Sequence, residues 1–192
     1  MADALWPATA VASRRELLGG ALGGIALGAV APGAFALARS SRRAAGDAKL
    51  LNGLLVAERR LTGTYRRVLA AGVLNVVVAA EVSGFAAQER EHIGALEREL
   101  LLRGQRLASE VPAGGGSQPG TQADGLNMLL RAEKLAEAAY FGALSKLQDP
   151  GLVQLAAEIM ASEAQHWTLL RILQTPHDLP GSVPNPFVTG SP

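Results

Sequence analysis

Two pairs of residues, Glu89-x-x-His92 and Glu163-x-x-His166, have the types and spacing to do chemistry. On a helix, residues three apart project from one face and lie about 5 to 6 Å apart, so a carboxylate and an imidazole can reach the same cation. Apolar residues sit one turn to either side: Phe85 and Leu96 around the first pair, Ile159 and Leu170 around the second. An ionisable pair set in an apolar stripe needs a partner. One such pair alone reads equally as a surface contact, a satisfied core histidine or a metal ligand. The chain has three histidines, however, and two of them occur in this arrangement, 74 positions apart.

Cysteine is absent. That excludes disulfides, zinc-thiolate and iron-sulfur sites and thiol nucleophiles, and leaves carboxylate and imidazole as the metal-binding groups. The net charge of +1 gives no electrostatic argument for nucleic acid or an acidic partner. Hydrophobic residues make up 48% of the chain but aromatic residues only 4%, and this Ala- and Leu-rich mixture favours an all-α bundle over a β-sandwich.

Four helical segments would position the pairs. Asp47 can cap a helix that runs to about Ala71, with Gly72 as its stop; Leu50, Leu51, Leu54, Leu55, Leu61, Val68 and Leu69 form its apolar stripe, and Glu58 and Tyr65 fall on it. A second helix is expected over residues 74–103. The run Val76-Val77-Val78 alone suggests a strand, but the helical spacing that continues to Leu102 outweighs it. Residues 104–122 are Gly- and Pro-containing and aperiodic, a long loop for a compact domain. A third helix spans about 124–147, Asp149-Pro150-Gly151 ends it, and a fourth spans 152–174, closed by Pro176. The Pro-rich tail, 175–192, carries no period, and His177 within it is expected to be exposed.

Before the bundle, Arg14-Arg15 opens an uncharged Gly- and Ala-rich run to Ala38, with Ala-x-Ala at 34–36 and 36–38. A basic pair, an apolar stretch and a small-residue site make an export signal over residues 1–38, cleaved after Ala36 or Ala38 and followed by a basic linker, 39–46. The paired arginines before two leucines resemble the twin-arginine type, which implies export of a folded protein by that machinery to the periplasm or another extracytoplasmic space. Retained, the same run would be a membrane anchor.

The helices also repeat. Ala57-Glu58, Tyr65 and Leu69 recur as Ala132-Glu133, Tyr140 and Leu144, 75 positions on. The chain is therefore two helical hairpins joined by the long loop, each with one Glu on its first helix and a Glu-x-x-His on its second. That inventory matches the ligands that hold two metal ions inside a four-helix bundle. Ionised and uncompensated, four inward carboxylates would each cost several kcal/mol, about what makes paired cations necessary.

With these residues in view, the chain resembles the ferritin-like superfamily, and within it the bacterial ferritin-like domain proteins that include the desiccation-related branch. The matching stretches are Ala57-Glu58 to Tyr65, Phe85 to Leu96, Glu133 to Ala143 and Ala157 to Arg171. The resemblance implies a ferritin-like four-helix bundle over 47–174 whose metal ligands are Glu58, Glu89, His92, Glu133, Glu163 and His166. Tyr65 and Tyr140, two turns along the same face from Glu58 and Glu133, are expected to pack or hydrogen-bond behind the ligands rather than act in redox chemistry. The resemblance also implies two metal ions, iron first and manganese second, and oxygen or peroxide chemistry of the ferroxidase, oxidase or peroxidase kind. The alternatives are a di-manganese, catalase-like enzyme and a non-enzymatic stress-related or envelope protein. Glu81, Glu91, Glu137 and Glu158 could replace a ligand if a helix were rotated, but they break the repeat. Trp167 is expected in the core or an interface, and an Ala- and Leu-rich bundle can pair with a second copy through an outer face.

Overall fold

The computed structural model describes residues 32–109 and 117–175. Among them the regular elements are four helices: α1 (Pro32–Ala70), α2 (Val76–Leu102), α3 (Gln122–Leu144) and α4 (Pro150–Gln174). They form an all-α bundle of two hairpins, α1 with α2 and α3 with α4, held together where α1 packs on α3. No described helix is long and apolar enough to cross a membrane.

Local chemistry sets the ends of the helices. Asn75 caps α2 by accepting the Val78 N–H, Thr121 caps α3 by accepting that of Asp124, and Asp149 caps α4 by accepting those of Gly151 and Leu152. Pro150 occupies the first position of α4, where its missing N–H costs nothing. Gly72 and Gly104, with φ of 65° and 64°, close α1 and α2 in the left-handed conformation that glycine adopts without strain.

Three boundaries differ from the sequence reading. α1 starts at Pro32 rather than after Asp47, so residues 39–46, expected as a linker, are helical. Nothing in Arg39-Ser40-Ser41-Arg42-Arg43-Ala44-Ala45 breaks a helix, and propagation from an established helix is favourable for such residues. Asp47 is consequently not a cap for its own helix. It is buried, and its carboxylate accepts the backbone N–H groups of Gln148 and Asp149 at 2.9 and 3.0 Å, tying the α3–α4 turn to α1. α3 ends at Leu144, with Leu147 buried in the turn, and α4 begins two residues earlier than expected. Val76 and Val77 are helical and exposed; their β-propensity yields to the register that buries Val78 and Val82. Residues 1–31 of the export signal, and the tail from 176 with His177, lie outside the described residues.

The repeat is written into the core. On α1 and α3, 75 positions apart, Leu51 matches Leu126, Leu54 matches Leu129, Leu55 matches Leu130, Leu61 matches Ala136 and Val68 matches Ala143, all buried. On α2 and α4, 74 apart, Val78 matches Leu152, Val82 matches Ala156, Phe85 matches Ile159 and Leu96 matches Leu170, again all buried. These residues gather into two apolar clusters: one contains Leu51, Leu96, Tyr140 and Ile159, the other Leu61, Tyr65, Phe85 and Leu170.

The crossover connection is pinned to α1 where it begins. Asn52 donates to the Arg106 carbonyl and accepts the Ala108 N–H, while Arg59 donates to the Ala108 carbonyl and pairs with Glu97 at 2.9 Å.

Asp47→Ala would leave two backbone donors of the α3–α4 turn without their acceptor, and is expected to destabilise the protein by about 1–3 kcal/mol in chemical denaturation. Asp47→Asn, which keeps one acceptor oxygen, is expected to lose less.

Candidate metal centre

All six residues singled out from the sequence meet in the interior. α1 supplies Glu58, α2 supplies Glu89 and His92, α3 supplies Glu133, and α4 supplies Glu163 and His166. The four glutamates are fully buried; His166 is 2% exposed and the His92 side chain 13%. They form two overlapping groups, Glu58–Glu89–His92–Glu163 and Glu89–Glu133–Glu163–His166, in each of which one donor atom per residue lies within 4.8 Å of all the others. Glu89 and Glu163 belong to both groups.

The contacts cross between hairpins. Nδ1 of His92 lies 2.9 Å from Oε1 of Glu163 and 3.2 Å from Oε2 of Glu89; Nδ1 of His166 lies 2.7 Å from Oε1 of Glu89. Several of these close approaches are not hydrogen bonds. Oε2 of Glu58, Oε1 of Glu89, Oε2 of Glu133, both carboxylate oxygens of Glu163 and Nδ1 of His166 are buried with no hydrogen-bond partner. Nearly all buried polar groups in folded proteins are paired. Six orphaned donors aimed into one shared space are what a pair of cations satisfies, so the residues fit a dinuclear metal site, whose positive charge would offset four buried carboxylates.

Two tyrosines orient this set. Tyr140, on α3, donates its phenol proton to Oε1 of Glu58 on α1, and Tyr65, on α1, donates to Oε1 of Glu133 on α3. Each bond takes one carboxylate oxygen and leaves the other, the orphaned Oε2, free. Both tyrosines are fully buried. The sequence placed each on the same stripe as the Glu of its own helix; the structure pairs each with the Glu of the other hairpin.

Without cations the site holds protons in their place. Burial pushes the Glu58 and Glu133 carboxyls well above the usual carboxylate range, and the neighbouring Glu163 and Glu89 add to the shift. Burial also opposes the ionised form of Glu89, but His166 and His92 outweigh it and hold that carboxyl down to about 2. His92 has its imidazolium disfavoured by burial, yet Glu163 and Glu89 raise it to about 10. Burial and their acceptor carboxylates push Tyr65 and Tyr140 above the usual phenol range, so both remain donors.

The carboxylates considered as substitutes stand apart. Glu81, Glu91 and Glu158 are exposed, and Glu158 accepts from Gln154 on the surface. Glu137 is half-buried, and its carboxyl is raised first by burial and then by the charge of Glu163. Trp167 packs against the second apolar cluster, with the Arg171 guanidinium over its ring. Sequence reasoning missed Gln88, whose Oε1 lies 2.7 Å from Nε2 of His166. Its counterpart 74 positions on is Ser162, so a search for repeated residues discards it.

The model for the ferritin-like domain family matches residues 46–176, which covers all of the bundle except the upstream part of α1. The chain belongs to the ferritin-like domain family. No curated protein matches it.

The raised groups set the pH dependence of the metal-free protein. Glu58, Glu133 and His92 bind protons more tightly folded than unfolded, so their contribution is complete below their unfolded values, near 4.5 for Glu and 6.5 for His, and is lost as pH rises through the folded ones. Glu89 acts oppositely, but only as pH falls below about 4.5 toward about 2. The melting temperature of metal-free protein is therefore expected to fall from pH 5 to pH 9. Metal-loaded protein, in which cations replace the protons, should show a flatter profile and release protons on loading.

Proposed function

We propose that this chain holds two metal ions, iron in preference to manganese, and carries out oxygen or peroxide chemistry at them. The observation that carries this reading is the pair of four-residue groups that share Glu89 and Glu163. Glu58 and His92 would hold one ion, Glu133 and His166 the other, and Glu89 and Glu163, which belong to both groups, would serve both. Carboxylates and imidazoles are the donors suited to redox-active iron or manganese. When bound, a pair of such ions supplies the electrons that reduce dioxygen or peroxide.

The protein's own part is to arrange and shield. Tyr65 and Tyr140 fix one oxygen of Glu133 and Glu58 and leave the other oriented inward. The two apolar clusters above and below exclude bulk water from the carboxylates. His92 is the most exposed of the six.

Purified protein is expected to contain two ions per chain by elemental analysis and to consume O2 or H2O2 when loaded. Glu89→Ala and Glu163→Ala should each cost about 1–2 ions, since each removes a donor from both groups. One ion or none in the wild type overturns the reading; a fully loaded but inert protein would make it a binding or envelope protein instead. Manganese in place of iron would turn the chemistry toward peroxide disproportionation.

We also propose export by the twin-arginine route, a reading supported by Arg14-Arg15 and the apolar run behind them. Replacing both arginines with lysine is expected to retain the protein in the cytoplasm on cell fractionation.

A further inference from the structure

We infer that the two metal positions are unequal. Gln88 makes the Glu133/His166 position the tight one and leaves the Glu58/His92 position as the exchangeable one. This rests on the two-ion reading above and adds an order of loading to it.

Although the six ligand positions repeat, their surroundings do not. The Oε1 of Gln88 meets Nε2 of His166 at 2.7 Å, and a carbonyl oxygen can only accept. Nε2–H of His166 is therefore the proton directed at Gln88, and Nδ1 is the nitrogen turned toward the carboxylates. That Nδ1 is the buried atom without a hydrogen bond, turned into the space shared with Glu89 and Glu133. Phe85 stacks on the same ring, centroids 4.9 Å apart and planes 30° apart, and limits its rotation. His166 is thus held in one orientation, Nδ1 toward the carboxylates, before any cation arrives.

His92 has neither the amide nor the phenyl ring; its ring neighbour is His166 itself, with centroids 6.2 Å apart. The residue that matches Gln88 is Ser162, which is too short to reproduce the amide, and the residue that matches Phe85 is Ile159. Among the described residues, every polar contact of His92 is made at Nδ1, to Glu58, Glu89 and Glu163. Its side chain is also the more exposed, 13% against 2%. An acceptor on the far nitrogen of a ligating histidine fixes its tautomer and raises its basicity, and losing one typically lowers metal affinity about 10–100-fold. No described residue does this for His92, so that half binds more weakly and exchanges first.

Cobalt(II), stable in air, is the probe. Calorimetric titration of metal-free wild type is expected to show two steps, the first tighter by about 10-fold or more. A crystal loaded with one equivalent should place the anomalous signal between Glu133 and His166. Gln88→Leu, which keeps the volume and removes the acceptor, is expected to weaken the tight step about 10–100-fold and spare the other. Gln88→Glu, which restores an acceptor, should recover it, whereas a role in packing alone would separate the variants the other way. Metal-free melting curves establish that each variant folds. Two equal steps, a first ion at the Glu58/His92 side, or a Gln88→Leu effect that is absent or shared by both steps would overturn the inference while leaving the two-ion reading in place. Fewer than two cobalt ions in the wild type would overturn that reading as well.

Discussion

Four carboxylates with no exposure, set in an apolar interior, are the constraint on which the rest of this structure depends. A bundle of this size could bury leucine at those positions at no electrostatic cost, whereas ionised carboxylates without compensation cost several kcal/mol each, about as much as a small domain has to spare. The surrounding features answer that cost. Two tyrosines cross to the opposite hairpin to bond Glu58 and Glu133, two imidazoles sit against Glu89 and Glu163, and the remaining lone pairs converge where cations would complete them. The leucine-rich clusters on either side supply the stability that the centre does not.

Duplication explains why the centre is symmetric in its donors. Equivalent helices bring equivalent residues to a common axis, and the match extends beyond the ligands to the buried leucines, valines and alanines of all four helices. Where the copies diverge they diverge at the margin. Gln88 faces Ser162 across the repeat, Phe85 faces Ile159, and the half-buried Thr62 corresponds to the half-buried Glu137. The centre has kept its donors in duplicate while its two sides have become different environments.

Much of this was legible in the sequence because the signals were redundant. Four periodic segments, glycine and proline stops, and a double Glu-x-x-His are enough to give the helix count, the hairpin pairing and the six central residues. What escaped was whatever depends on contact between segments. Asp47 looks like a cap because capping is local, yet its real partners are Gln148 and Asp149, about a hundred positions away. The start of α1 escaped for a related reason: a basic, Ser-containing stretch reads as linker from composition, while helix propagation depends on the stable segment behind it. Tyr65 and Tyr140 were placed on the correct stripe, but periodicity cannot say which hairpin a side chain will reach. Gln88 lay beyond reach because its importance comes from being unmatched.

The crossed tyrosines carry a consequence for how the halves of this chain relate. Neither hairpin contains both members of a phenol–carboxylate bond, and neither group of four donors can be assembled from one hairpin alone. A severed half would offer a carboxylate without its clasp and a phenol without its receiver, and would be whole only against a second hairpin in the antiparallel embrace of the first. Covalent linkage through the crossover sets no atom of the centre in place; it guarantees that the complementary half is always present, at a local concentration no free encounter could match.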